Sequence, residues 1–489
     1  MIEFLLNEVP RSLSKICPNT TVLQYLRNHE FKTGTKEGCA SGDCGACTVV
    51  IGDVVDNRVE YKSINSCIAL IGSLHGKQLV TVEDLENERL HPVQQTMVDE
   101  HGSQCGFCTP GFVMSLFSLY QNKQKFDSHD CAQYLAGNLC RCTGYQPIVN
   151  AAKSLNGGKR HDQFLNNMKK TVLSLSALQA KHTTAYLSFN GKEFYGPTSV
   201  DDLLKLMSEN PDARLIAGST DLALEVTQQR NELGTLIYLG AIEELRKIEV
   251  STNYIMIGSG VTFESALPVL HEHYPDFAKM VLRLGSKQIR NVATFGGNVG
   301  NASPIGDTPP CFIALDAKLT LVTGDQTRSI DIEDFFVDYK KTCLRDGEYI
   351  SSIEIPRLSG NQLFKVYKIS KRIDDDISAV LAAFSITLID REGDTYVEGA
   401  RLAYGGMAGI PKRAKNAENA LIGLRWDKSS VALAMKAIKS DFKPMSDVRA
   451  SAEYREQVAK NLLYKCYLDS FDEQNIESFD AIEAEGLAE

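Results

Sequence analysis

The sequence predicts a multidomain α+β protein, and three observations carry that expectation. Its 489 residues exceed what one hydrophobic core organises, since a domain takes about 150 residues and this length suggests roughly three. Cysteine-bearing stretches divide the first third into a strand-rich part and a part with four successive helical patterns and no strand between them. From Ala185 onward the pattern changes to strands alternating with amphipathic helices.

Residues 2 to 6, IEFLL, with a β-prone partner after the Pro10 turn, read as a strand pair. TTVLQYLRNH from Thr20 has Thr at a helix start and Val22, Leu23 and Leu26 at helical spacing. EGCASGDCGACTVV, residues 37–50, then sets Cys39, Cys44 and Cys47 at the C-x4-C-x2-C spacing of a plant-type [2Fe–2S] site, and Cys67 in SINSCIAL supplies the fourth thiolate. Gly38, Gly42 and Gly45 let backbone N–H groups close on an anionic cluster where a Cβ would collide. A structural zinc site is the alternative, but zinc ribbons present two C-x2-4-C knuckles, whereas three of these ligands crowd one loop. CTVVI and RVEYKSINSC, alternating and β-branched, read as strands.

Helical patterns follow from about Val82, in HPVQQTMVDEHGSQ, TPGFVMSLFSLYQNK, SHDCAQYLAGNLC and QPIVNAAKSL, and should pack as a small bundle. They carry a second quartet, Cys105, Cys108, Cys140 and Cys142, in SQCGFCTPGF and GNLCRCTGYQPI. Each pair precedes a helix opening with proline, Pro110 or Pro147, a favoured first-turn residue. Two helix N-termini would then direct N–H groups and positive dipole ends at bound metal, which suits an anionic thiolate cluster. On spacing alone zinc stays open here too.

Residues 157–184 are polar, basic and weakly periodic, and read as an exposed linker whose TVLSLSALQA stretch could dock as a short helix. Beyond it, a strand at Arg214 to Ala217 leads into GSTD and a helical pattern, and RNVATFGGNVGNASPIGDTPP holds Gly296, Gly297 and Gly300 among small polar residues. Both loops can cradle a phosphate with backbone N–H groups, and ordinary glycine-rich turns are the alternative. No G-x-G-x-x-G follows a strand, so no Rossmann domain is offered. A last unit starts near Leu363 and closes helically near Ser470, and the acidic tail to Glu489 has no apolar period.

Composition narrows the function classes. Hydrophobic residues make up 43% and charged residues 23%, ordinary for a globular protein. A net charge of −10 disfavours nucleic acid and anionic membrane as partners, because both need a basic face. The longest apolar run, AVLAAFSITLI at 379–389, is too short to span a bilayer. MIEFLLNEVPR has no basic n-region or cleavage site, so a cytoplasmic location is expected, with the thirteen cysteines as metal ligands or reduced thiols.

C-G-F-C-T-P-G and G-N-L-C-R-C-T-G-Y after a plant-type loop resemble the molybdenum hydroxylase family, which includes xanthine dehydrogenases, aldehyde oxidases and carbon monoxide dehydrogenases. The resemblance extends from about residue 1 to 470. It implies a β-grasp ferredoxin-like [2Fe–2S] domain (1–82), a four-helix [2Fe–2S] domain (83–156), the linker (157–184), a vanillyl-alcohol-oxidase-type FAD domain (185–361), a small α/β flavoprotein C-terminal domain (362–470) and an acidic tail (471–489). The eight cysteines are then ligands of two [2Fe–2S] clusters. FAD contacts are implied for Leu215, Ile216, Ala217, Gly218, Ser219, Thr220, Asp221 and Leu222, for Ala293, Thr294, Gly297, Asn298, Asn301 and Asp307, and for Lys368. Asp307 is expected to accept a hydrogen bond from a cofactor hydroxyl, with a helix N-terminal role as its alternative. Asp374 to Asp376 would lie in a loop beside the flavin, with a solvated turn as theirs.

Fusion of iron–sulfur and flavin modules resembles the small subunit of the bacterial xanthine dehydrogenases. The function this implies is electron transfer from a molybdopterin-binding large subunit through both clusters to FAD and on to NAD, in a heterotetramer of two small and two large subunits. No residue of this chain is then catalytic toward the purine. The rivals are the same role for an aldehyde or N-heterocycle hydroxylase, and a non-catalytic flavin and iron–sulfur redox protein or zinc-stabilised scaffold.

Overall fold

The computed structural model describes residues 1–158, 160–181 and 184–471. Of the tail expected over 471–489, residues 472–489 lie outside the described residues. The chain forms two compact units, the first made of Met1–Arg246, Thr262–Glu264 and Gly285–Thr294, and the second of Lys247–Val261, Ser265–Leu284 and the chain from Phe295 onward.

The first unit begins with a five-stranded sheet in the order Val9–Leu13, Ile2–Leu6, Gln78–Val80, Thr48–Val55, Arg58–Asn65. The pairing of Ile2–Leu6 with Gln78–Val80 is parallel, and the neighbouring pairings are antiparallel. Helix Val22–Asn28 is started by a capping box between Thr21 and Gln24, which satisfies two otherwise unpaired N–H groups. This is the expected β-grasp arrangement.

The four expected helices are Pro92–Asp99, Thr109–Asn122, Ser128–Leu135 and Gln146–Ser154. Thr109–Asn122 is buried continuously from Gly111 to Tyr120, because it packs on the ferredoxin sheet as well as on its sister helices. Ser118 Oγ and Asn122 Nδ2 both donate to Tyr61 O, at 2.8 and 2.6 Å.

The segment expected as an exposed linker contains a 17-residue helix, Gln163–Gln179, N-capped by Asp162. Phe164, Thr171 and Leu175 are buried and Met168 and Leu178 pack beside them. These residues form one stripe at helical spacing, which the Asn-Asn and Lys-Lys pairs between them disguise in a composition count. Asp162 also meets the ring of His91, the N-cap of Pro92–Asp99, at 3.2 Å in a fully buried contact. The helix is thereby fastened to the cysteine-bearing helices.

Strands Ala185–Phe189, Lys192–Gly196, Thr235–Tyr238 and Arg214–Ile216 form a second sheet in that order. Its Leu187, Phe194 and Leu236 share one core with Phe4, Leu6 and Tyr25 of the ferredoxin domain. At Gly72 an added Cβ would stand 2.3 Å from the Phe194 ring, so the two layers meet closely.

The second unit contains an antiparallel sheet in the order Ile248–Val250, Tyr254–Gly258, Tyr349–Pro356, Lys318–Thr323, Gln326–Asp331. A four-stranded meander, Gln362–Ile369, Val380–Arg391, Asp394–Gly405 and Lys412–Arg413, follows. Helices Thr308–Ala314 and Ala452–Asp469 both contact Val380–Arg391, which explains seven consecutive buried residues at its start. Among the described residues no helix is long and apolar enough to cross a membrane.

Candidate functional site

The plant-type loop brings its cysteines together in pairs, Cys39 with Cys44 and Cys47 with Cys67. Strand Arg58–Asn65 runs back beside Thr48–Val55 and delivers Cys67 to Cys47, with Sγ atoms 3.3 Å apart and both residues buried. Ser41 N and Cys44 N each donate to Cys39 Sγ at 3.4 Å. Gly38 is required by space, since an added Cβ would lie 2.8 Å from Cys44 Sγ. Gly42 and Gly45 are required by conformation, with φ of +84° and +68°. Hydrogen bonding from Cys44 holds the Cys39 thiol below its ordinary range, and from Cys67 that of Cys47, while the donating partners are pushed up.

In the second quartet Cys105 and Cys142 are exposed, Cys108 is half-buried and Cys140 is buried. Cys105 associates with Cys142 and Cys108 with Cys140. Burial, with the neighbouring Cys140, pushes the Cys108 thiol up to about 12. At Cys140 burial acts the same way, but hydrogen bonds outweigh it, the Thr143 hydroxyl lying 3.1 Å from Sγ, and the thiol is lowered. Cys108 is the N-cap of Thr109–Asn122, so one helix N-terminus opens at a ligand as expected. The other helix opens at Tyr145, three residues beyond Cys142.

Among the described residues no three His, Cys, Asp or Glu side chains converge as the ligands of a single ion would. The donor sets are nonetheless all cysteine, arranged in pairs, with amides turned onto sulfur and glycines where a Cβ would intrude. That chemistry fits [2Fe–2S] clusters held by four thiolates each. The two loops also touch. Leu139 N, next to Cys140, donates to Cys44 O at 3.0 Å, and Asn138 Nδ2 donates to Gly45 O at 3.1 Å. Gln288, completely buried, donates to Thr48, Ser115 and Asn138. No sequence signal marked Gln288, whose role comes from its place between three chain segments.

The residues expected to contact flavin divide between the units. In the first, Leu215 and Ile216 end a strand, and Ala217 to Leu222 lead into helix Ala223–Thr227. An added Cβ at Gly218 would lie 2.1 Å from Val292 O and 2.8 Å from Ala293 N, so this loop lies directly on the segment bearing Ala293 and Thr294. Among the described residues, no backbone N–H from Gly218 to Leu222 donates to a backbone carbonyl. A run of unpaired N–H groups in a small-residue loop fits a pyrophosphate.

In the second unit Gly297 and Asn298 lie in helix Phe295–Gly300, with Asn301 just after it. Gly296 backs onto Ser259, whose buried hydroxyl has no partner among the described residues. Asn298 Oδ1 accepts from Thr308 Oγ1 at 2.6 Å. Asp307 and Lys368 meet in a buried ion pair at 2.7 Å. The other Asp307 oxygen accepts from Ser378 Oγ at 2.6 Å, which leaves the carboxylate lone pairs for a further donor. Lys368 and Ser378 stand at the two ends of the connection between Gln362–Ile369 and Val380–Arg391, so Asp307 closes that loop. Arg283 grips it as well, donating to Lys368 O and Ile373 O at 3.0 Å. Sequence reading missed Ser378 and Arg283, which carry no motif. Of the three aspartates, Asp376 accepts from Arg372 N and Ile377 N, both at 2.9 Å. Those bonds outweigh partial burial and keep its carboxyl below the usual range.

Two all-cysteine quartets and glycine-rich anion loops define an iron–sulfur flavoprotein. Comparison with protein families gives the same modules in the same order: a 2Fe-2S iron-sulfur cluster binding domain over residues 5–71 and a [2Fe-2S] binding domain over 81–153. The FAD binding domain in molybdopterin dehydrogenase matches 187–358, and the CO dehydrogenase flavoprotein C-terminal domain 365–470. The chain belongs to the molybdenum hydroxylase family. It is 35% identical to xanthine dehydrogenase of Emericella nidulans over 98% of this chain and 39% of that protein. Xanthine dehydrogenase 1 of Arabidopsis thaliana is 32% identical, over 94% of this chain and 39% of the relative. The chain thus spans about two fifths of the curated relatives it matches. Among solved structures, carbon monoxide dehydrogenase from Hydrogenophaga pseudoflava superposes with a TM-score of 0.52 at 25% identity, covering 56% of this chain and 94% of that one. Quinoline 2-oxidoreductase from Pseudomonas putida 86 gives 0.51, with the same identity and coverage.

Proposed function

We propose that this chain is the electron-transfer subunit of a xanthine dehydrogenase, relaying electrons from a molybdopterin-binding partner to NAD⁺. When bound, the clusters supply one-electron carriers, and FAD supplies the conversion between single electrons and a hydride. The chain's own part is to hold, space and insulate them. The eight cysteines would be the iron ligands. The Leu139–Cys44 hydrogen bond, which keeps the two quartets together, is the observation that carries the reading.

The contacts proposed for FAD remain those the resemblance implies: 215–222, Ala293 and Thr294 in the first unit, and Gly297, Asn298, Asn301, Asp307 and Lys368 in the second. N–H groups of the 218–222 loop would receive phosphate oxygens. Asp307 would hold the Lys368 ammonium in place through their buried ion pair at 2.7 Å. The loop bearing Asp374 to Asp376 would form the acceptor side. Identity to xanthine dehydrogenases supports the purine substrate, while NAD⁺ as acceptor rests on the family resemblance of the sequence. The partner rests on the molybdenum hydroxylase relatives, the two-plus-two assembly on the family resemblance of the sequence alone, and a cytoplasmic location on thirteen free cysteines. The likeness to quinoline 2-oxidoreductase supports the second reading, the same relay serving an N-heterocycle hydroxylase.

The test is co-expression with a molybdopterin-binding partner and measurement of xanthine-dependent NAD⁺ reduction. NAD⁺ reduction with xanthine supports the proposal; reduction with quinoline and not xanthine selects the second reading; neither refutes both. Asp375→Asn with Asp376→Asn should lower NAD⁺ reduction while a dye acceptor is still reduced. Equal losses with both acceptors would remove this loop from the acceptor site.

A further inference from the structure

The segment from Gly218 to Gln228 does something that holding a phosphate does not require: it grips the plant-type cysteine loop. Ser219 adopts φ of +57°, a left-handed value disfavoured for any residue with a Cβ. In that conformation its Oγ donates to Ile68 O at 2.6 Å, the carbonyl immediately after Cys67. Gln228, just past the helix that follows, donates through Nε2 to Cys39 O at 3.0 Å and to Ala40 O at 2.9 Å. One short segment therefore caps three carbonyls, each belonging to a ligand cysteine or to the residue after one. The grip is reinforced by packing, since Ala223 shares a small core with Cys47, Cys67 and Ile68.

We infer that Ser219 and Gln228 are positioning residues that raise the reduction potential of the plant-type cluster through the Ile68, Cys39 and Ala40 carbonyls, and so tie that potential to the state of the flavin loop. The inference rests on the reading of Cys39, Cys44, Cys47 and Cys67 as a [2Fe–2S] site. An uncapped carbonyl turns a negative dipole end toward its surroundings, and a cluster taking up an electron gains negative charge. A donor on the carbonyl offsets that repulsion, as outer hydrogen bonds do at metal sites generally. Ser219 sits in the same loop as the unpaired 218–222 amides. A ligand ordering that loop therefore acts on Ser219, and by linkage the two equilibria influence each other reciprocally.

The experiment is a redox titration of the full chain followed by electron paramagnetic resonance, with the helical-domain cluster as internal reference. Ser219→Ala and Gln228→Ala should each shift the plant-type midpoint to lower potential, leave the reference midpoint unchanged and retain iron. Ser219→Asn should restore the wild-type value, because Asn tolerates left-handed φ and its amide can donate. Removal of FAD should shift the plant-type midpoint in wild type and less in Ser219→Ala. Gln228 is exposed, so its variant gives a reading even if Ser219→Ala fails to assemble. Unchanged plant-type midpoints in the variants that assemble overturn the inference. Absence of a plant-type signal from wild type itself overturns the underlying site reading, a separate and distinguishable result.

Discussion

Gly45 lies where the two cysteine loops meet, and Gly45→Ala measures how much that approach matters. An added Cβ would stand 2.2 Å from Gly137 O, 2.5 Å from Asn138 Nδ2 and 2.9 Å from Asn138 Cα. Two of these atoms are backbone, so the 137–139 segment must retreat by roughly 1 Å to reach ordinary contact, about 3.4 Å. Retreat breaks the bonds from Asn138 Nδ2 to Gly45 O and from Leu139 N to Cys44 O, each worth about 1 kcal/mol. The φ of +68° adds about 1–2 kcal/mol for a residue with a Cβ, for a total of about 3–4 kcal/mol. Gly106→Ala is the control, since Gly106 has φ of +83° and nothing within 4 Å of an added Cβ. It should lose only the conformational part, about 1–2 kcal/mol. The difference, about 2 kcal/mol, corresponds to about 1 M in a urea midpoint at ordinary slopes. Urea unfolding followed by bleaching of cluster absorbance reads it directly. Equal midpoints for the two variants would show that the loops do not depend on each other's backbone.

Three further outcomes are expected. Asp307→Ala strands the Lys368 ammonium, whose side chain is 2% exposed, and should cost about 3–5 kcal/mol; an unchanged melting temperature would contradict the buried pair. Gly297→Val should abolish FAD binding and leave both clusters, because a branched side chain would fill space the cofactor backbone contacts need; an unchanged flavin-to-iron ratio would remove Gly297 from the site. At Glu264 burial raises the carboxyl, but the Lys287 and Arg290 charges outweigh it, so it lies below its ordinary value of 4.5. Its contribution is therefore complete above that value and lost as pH falls through the lower folded one. Protection factors of the amides around residues 286–292, taken against the intrinsic exchange rate at each pH, should fall on acidification, and in Glu264→Gln much of this pH dependence should disappear. A wild-type response in the variant would assign it elsewhere.

What could be read from the sequence was chemistry tied to local spacing. The eight cysteines, the helix begun by Thr21, Pro110 in the first turn of Thr109–Asn122 and the β-branched strands beside the cluster loop declare themselves within a few residues. The helix Gln163–Gln179 was obscured because its apolar stripe is interrupted by Asn-Asn and Lys-Lys, and burial of that stripe depends on a sheet formed far upstream. Asp307, Lys368 and Ser378 are long-range partners, separated by 61 and 71 positions from the aspartate. Asp307 and Lys368 were legible as residue types but not as a pair, and Ser378 was not legible at all. Gln288 is the extreme case: a polar residue buried completely because three segments bring it hydrogen-bond partners, a fact no window of sequence contains. Ser219 was marked as part of a phosphate-type loop, while the direction of its hydroxyl toward Ile68 followed only from a left-handed turn that nothing nearby demands.

The central claim, two iron–sulfur clusters and a flavin on one chain, is tested most directly by low-temperature electron paramagnetic resonance of the reduced protein with iron, zinc and flavin determined on the same sample. Two distinguishable signals, two irons for each cluster and bound FAD are expected, and Cys105→Ala should abolish one signal and keep the other. A single signal unaffected by Cys105→Ala, or zinc in place of iron in either quartet, would contradict the account.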